Sequence, residues 1–573
     1  MEAAAWHTLP LPDVTSLHAP AMSLYARRIP VYEHTGDDTY VYPAQPSGSQ
    51  RLALRVLQAG ALAVVLAAAT YKVFELDRFF VPKELVLHLT ALIAGILCLG
   101  AARRVSLGRV DLLLAGYLVL GAASAALAQN PWAGMRALGV SASGIVVFWA
   151  ARSLGRAGLA RPLLVAIGIA VTLGALTSLA QTYGVRLDVF SVNRAPGGTL
   201  GNRNFVAHLC AFGLPILALC ALRAWRGPGV ALGAVGFAAL AAVLVLTRSR
   251  AAWLGVGAGL ATLVLGWLIV RPVRRDGRSW LRLVMLLLFA GGGVAVALMV
   301  PNKLRWNSDD PYGETARGVV NYQEGSGRGR LIQYGNTLRM AAAHPVLGVG
   351  PGNWPVEYPG FAKRRDPSMD PNEGGMTSNP WPSSDWVALL AERGLPAFAL
   401  LVLAMAGLAG TAWRRMRTAR DADEGLVALA LASTLVATLV VGAFDAVLLL
   451  ALPSLLIWAA LGALTAGEEG RWGFEAGGGV RVLGVLVLLV GIGGFAVKSA
   501  AQTAAMHLYA GSGEARVMEQ ASRLDPGSYR IHLRLARSYS GRRTRELRCQ
   551  HAEAAHELFP HADAAAAQAR RCE

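Results

Sequence analysis

The sequence predicts an all-α, polytopic integral membrane protein with about 13 transmembrane helices, one long outward loop and a small soluble helical segment at its C-terminal end. Three observations carry that expectation. Of 573 residues, 54% are apolar and only 16% are charged, the balance of a membrane protein. Apolar runs near the roughly 20 residues that cross a bilayer as a helix recur along the chain. Arginine gathers in alternate short loops, which is how membrane proteins set their orientation.

Residues 1–50 are polar, rich in Pro and Gly and without an apolar h-region, so a disordered cytoplasmic leader is expected rather than a signal peptide or a domain. Spans 1–9 occupy 51–300, at about 52–71, 84–100, 110–128, 137–155, 162–182, 204–222, 229–247, 251–270 and 280–300. Gly255, Gly257, Gly259 and Gly291 to Gly293 would let helix backbones approach closely in lipid. A connection from 301 to 384, punctuated by Pro, Gly, Trp and Tyr, is long enough to be functional. Within it 329–340 reads as a short amphipathic helix with Leu331, Tyr334 and Leu338 on one side. The run from His344 to Trp354 reads as a turn, because its glycines have no Lys-Ser/Thr after them and no strand before them. Spans 10–13 occupy 385–499, at about 385–412, 425–448, 451–466 and 480–499. From 500 to 573 the sequence becomes soluble and helical. Ala521 to Tyr529, followed by Leu533, Leu535, Ala536 and Tyr539, has tetratricopeptide-like spacing, with a second helical pair near 543–571. Such a tail would cap the membrane domain or meet a protein partner.

Arg103, Arg104 and Arg109 follow span 2, Arg152, Arg156 and Arg161 span 4, Arg223 and Arg226 span 6. Arg271, Arg274, Arg275 and Arg278 follow span 8, and Arg414, Arg415, Arg417 and Arg420 span 10. The N-terminus and the loops after even-numbered spans are therefore expected in the cytoplasm, the other loops and the tail outside. The net charge of +18 is mainly this topology signal with some attraction to anionic lipid, and does not imply nucleic acid. Cys98, Cys210 and Cys220 lie in spans, whereas Cys549 and Cys572 lie in the tail. A chain reversal near Pro560 would set those two, 11 residues before it and 12 after it, at nearly equal height, where a disulfide can form. His551, His556 and His561 recur every five residues, which leaves one helical face and gives no metal site.

Two motifs place arginine where a membrane protein should avoid it: Gly201-Asn202-Arg203-Asn204 and Thr247-Arg248-Ser249-Arg250, each touching an apolar run. A single arginine there is equally read as snorkelling to headgroups. Two clusters at one face point to a clamp for a phosphorylated lipid, since the planar guanidinium binds phosphate oxygens bidentately and keeps its charge. Arg203, Arg248 and Arg250 are the main candidates, with Arg330, Arg328, Asn202 and Asn204 as further binding residues. Lys363, Arg364 and Arg365 read as a solvated patch.

These motifs, with Ala251-Ala252-Trp253, the Gly-Arg-Leu at 329–331, His344 to Asn353, and Leu390-Ala391-Glu392-Arg393-Gly394-Leu395, resemble the O-antigen ligase and polymerase superfamily over roughly residues 52–466. The resemblance implies a glycan transferase of the bacterial inner membrane that uses neither metal nor nucleotide sugar. It would move a glycan from an undecaprenyl-pyrophosphate carrier to a lipid, protein or glycan acceptor at the outer face. The family's histidine, about nine residues before the glutamate, falls here on Ser383, in Pro382-Ser383-Ser384-Asp385-Trp386. Asp385 is then the candidate base, while Ser384 or Asp385 is also a good N-cap for the helix that begins there. Glu392 is expected to orient an arginine, and His344 to shape its turn. A non-catalytic assembly scaffold and a membrane transporter are the competing readings.

Overall fold

The computed structural model describes residues 45–224, 227–319, 325–363, 365–468 and 470–572; the leader through residue 44, Arg226 and Arg364 lie outside the described residues. Helices run α1 (Gly48–Leu66), α2 (Asp77–Ala101), α3 (Arg109–Ala126), α4 (Pro131–Arg156), α5 (Ala160–Thr182), α6 (Arg203–Leu222), α7 (Gly227–Thr247), α8 (Arg250–Ile269), α9 (Arg271–Arg275) and α10 (Gly277–Met299). The long connection carries α11 (Pro311–Arg317), α12 (Gly325–Ala343) and α13 (Trp354–Phe361). Then come α14 (Asp385–Thr418), α15 (Ala422–Phe444), α16 (Ala451–Leu464), α17 (Gly478–Gly511), α18 (Ala515–Leu524), α19 (Tyr529–Ser538), α20 (Arg545–Leu558) and α21 (Asp563–Ala569). Two expected boundaries move. Ser47 and Gln50 form a reciprocal capping box that starts α1 at Gly48, so the leader ends earlier than 50. The boundary drawn at 500 falls inside α17, which runs unbroken to Gly511.

Twelve described helices are long and apolar enough to cross a membrane, all at expected positions; α16, with 14 residues, is not. The chain nevertheless needs α16 as a crossing. Strand β1 (Arg104–Leu107), after the second span, pairs antiparallel with β2 (Trp472–Glu475), which precedes α17. The two ends share a face only if α16 counts. Side chains agree: Arg414 and Arg415, at the end of the tenth span, reach Glu468, and Arg223, after the sixth, reaches Asp423 at the start of α15, all on the side that follows even-numbered spans. Every residue of α16 is buried, and so are Ala446, Val447, Leu448 and Leu450 in the non-helical stretch before it. A short helix plus irregular backbone is tolerated at membrane depth when protein encloses it.

One small apolar core joins the tail to the end of α17 through Ala505, Met518, Ala521, Ile531 and Leu535, and a second, of Tyr529, Leu533, Ala555, Ala562 and Ala565, lies within the tail with Met376 of the long connection against it. They seat on loops of the same chain. Gln129 and Asn130 donate to the carbonyls of Glu557 and Leu558, at 3.1 and 3.4 Å, and Asp563 N donates to Gly374 O at 3.0 Å. Cys549 and Cys572 are bonded, with Cα atoms 5.5 Å apart. Inside the tail His551 Nε2 meets Glu519 Oε1 at 2.9 Å, Tyr539 donates to the same oxygen at 2.7 Å, and His551 Nδ1 meets His532 Nδ1 at 2.9 Å.

Burial opposes the charge of Glu519, but the His551 and Tyr539 donors hold its carboxyl below the usual 4.5. Burial, then His551, holds His532 below 6.5. Both groups bind fewer protons folded than unfolded, so their stabilisation is present above about pH 6.5 and is lost as pH falls through their lowered values. Asp525, raised mainly by burial, offsets part of the loss at the acid end. Amide exchange in α18 to α20 of the full chain, corrected for intrinsic rates, should therefore speed up between pH 7.5 and about 5. Protection that rises over that range would contradict the assignment.

Candidate active site

The two arginine motifs meet. A cavity of about 460 Å³ is lined by Arg203, Asn204, Arg248, Ser249, Arg250, Ala251, Glu314, Thr315, Gly318 and Arg330. Arg203 and Asn204 open α6, Arg248 to Ala251 form the α7–α8 turn, and Arg330 comes from α12. Glu314 is the lone carboxylate on the lining, against four guanidinium groups, among the described residues. Arg248 Nε donates to Thr315 Oγ1 at 2.8 Å, its Nη2 lies 3.7 Å from Glu314, and Arg250 Nη1 donates to Gly318 O at 2.7 Å. Arg248 holds φ at 54°, the left-handed region that side chains other than glycine rarely adopt. Such outliers persist where the surroundings over-determine them, and they cluster at functional sites.

The other expected binding residues separate. Asn202 caps α6, its side chain accepting from Asn204 N at 3.0 Å, and does not line the cavity. Arg328 is exposed and also off the lining. Glu392 orients no arginine in the cavity; it is buried and accepts from Trp354 N at 3.2 Å. This contact belongs to a break in α14 at Gly394, where φ is 75° and ψ 170°. The break frees the carbonyls of Ala391 and Glu392, which accept from Val349 N at 3.0 Å and Gly350 N at 2.9 Å. A Cβ at Gly394 would stand 2.1 Å from Val346 O, and one at Gly348 2.3 Å from Glu392 C, so only glycine lets the two backbones touch. The glycine run after the exposed His344 is thus a turn, as its sequence reads, and it mends a helix.

Asp385 is likewise placed away from the cavity. Its side chain is fully buried, and its two oxygens accept from Val447 N at 3.0 Å and Leu448 N at 2.8 Å. The helix cap is Ser384, whose hydroxyl accepts from Val387 N. Asp385 instead satisfies the irregular backbone ahead of α16, where no water is at hand. Fully buried and off the cavity lining, Asp385 bears on the site through the backbone it holds.

The segment Asp385 holds carries a different carboxylate. Asp445, 9% exposed, accepts from Asn204 Nδ2 at 3.3 Å through Oδ2, the same oxygen lies 3.7 Å from His208 Nε2, and Oδ1 accepts from Ala446 N at 2.9 Å. Tyr334 of α12 braces both sides, donating to Ser383 O at 2.5 Å and Ala443 O at 3.1 Å. Asp445 and His208 escaped sequence reasoning, since a single Asp between two apolar spans looks like loop punctuation. The meeting of Asp445 with Asn204, 241 residues away, and with His208 exists only in three dimensions.

The family model described as O-antigen ligase matches residues 235–402, from within α7 across the arginine turn and the long connection into α14. Over those residues the chain is similar to the O-antigen ligase family. No curated protein matches it. The matched segment supplies Arg248, Arg250 and Arg330 to the cavity, whereas Arg203 and Asn204 come from α6, outside the matched residues, with Asp445 and His208 behind Asn204 and off the lining.

Proposed function

We propose that this protein transfers a glycan from an undecaprenyl-pyrophosphate donor to an acceptor hydroxyl at the outer face of the bacterial inner membrane, as a ligase or polymerase of envelope polysaccharide. The observation that carries the reading is the cavity where four arginines face one carboxylate among the described residues. The acceptor oxygen attacks the anomeric carbon, the bond from that carbon to the phosphate oxygen breaks, and the pair of electrons leaves with undecaprenyl pyrophosphate. Arg203, Arg248, Arg250 and Arg330 supply fixed positive charge where negative charge develops, each such donor worth on the order of 3 kcal/mol. The acceptor proton passes to Asp445, held by Asn204 and the segment that Asp385 braces. Charge gathered at one end of the bundle, rather than at mid-membrane, argues against a transporter.

A deletion strain tests this. Its membranes should accumulate lipid-linked glycan and lose the mature envelope polymer, and wild-type protein should restore both. Long carrier-linked polymer marks a ligase and single repeat units a polymerase. Full restoration by Arg248→Ala would favour the scaffold reading instead.

A further inference from the structure

The connection after α10 sends one aromatic side chain to the clamp. The guanidinium carbon of Arg203 and that of Arg248 each lie 4.9 Å from the centroid of the Trp306 ring. Arg203 has no hydrogen bond or ion pair to its guanidinium among the described residues, so this ring is its contact. Two cations that line one cavity repel each other, and something must hold them. A carboxylate would do so by cancelling their charge. The face of an indole attracts a guanidinium through its quadrupole, most strongly of the aromatic side chains, and leaves the net charge intact.

We propose that Trp306 is a positioning residue, a neutral spacer that fixes Arg203 and Arg248 for a diphosphate while keeping both charges available to it. The inference rests on the proposed clamp. It explains why a tryptophan from a connection far along the chain sits against two helix ends, with Glu314, 3.7 Å from Arg248, the acidic contact of the pair among the described residues. The indole nitrogen of Trp306 is buried and makes no hydrogen bond among the described residues, so the ring face is what the arginines use.

The test is titration of the full-length, detergent-solubilised protein with inorganic pyrophosphate. Wild type should bind and Arg248→Ala should not; a wild type that fails to bind would sink the clamp and the spacer together. With wild-type binding in place, the spacer is judged separately. Trp306→Leu should weaken binding by about tenfold with an unchanged melting temperature, whereas Trp306→Phe should stay within about threefold of wild type. Trp306→Gln replaces the leucine variant, with the same expectation, if that one does not fold. Wild-type affinity in the non-aromatic variant would overturn the proposal, and so would equal loss in the phenylalanine and non-aromatic variants.

Discussion

Glycan transfer by Arg248→Ala, and separately by Arg203→Ala, is expected to fall by about a hundredfold, the worth of one well-placed donor to a developing anion. Lysine should restore only part, because an ammonium is a point charge and does not grip two phosphate oxygens in a fork. The backbone of Arg248 offers a sharper form of the experiment. With φ at 54°, the position disfavours every side chain but suits glycine. Arg248→Gly should therefore be inactive yet no less stable than wild type, a combination that a merely structural arginine would not produce. The measurement is product formation in purified protein beside a thermal melt, and wild-type rates in both alanine variants at normal abundance would reject the clamp.

Asp445→Asn is expected to lower transfer by about 10² to 10⁴, the usual range for removing a general base. The amide keeps the shape and loses the ability to take a proton. Asp385→Asn should behave differently. It sets an amide against two buried backbone N–H groups, Val447 and Leu448, and leaves one without a good acceptor. The loss should appear as about 1 to 3 kcal/mol of stability, with activity reduced through the displaced Asp445. Equal activity of Asp445→Asn and wild type across pH would remove the base role, and an inactive Asp385→Asn of undiminished stability would return that role to Asp385.

The membrane architecture was readable because it rests on local quantities. Apolar run length sets each span, and arginine in alternate loops sets parity, so helices such as α5 and α8 stand where their sequences place them. Even the short run that forms α16 read as a crossing, although its helix alone is too brief. The cavity was half readable. Arg203, Arg248 and Arg250 announce themselves by lying at the ends of apolar runs, where charge is costly. Asp385 misled because its place in the sequence, beside the family's missing histidine, is separate from where its oxygens point. Trp306 and Asp445 sit in ordinary-looking stretches, and their meaning comes from neighbours on other helices. No window along the chain contains that information.

The interruption of α14 at Gly394 also bears on how such a protein can be rebuilt. Where a continuous helix would satisfy its own carbonyls, this one borrows Val349 N and Gly350 N from a loop more than 40 residues earlier, and Ser124 of α3 ties both halves by donating to Leu347 O and Glu392 O. The joint is therefore a composite of three separate stretches of chain. Anyone grafting the long connection from one such protein onto another must move residues 344–353 and 391–396 as a single cassette, with the α3 contact matched. Exchanged alone, either piece would strand bare carbonyls in a setting that has no solvent to receive them.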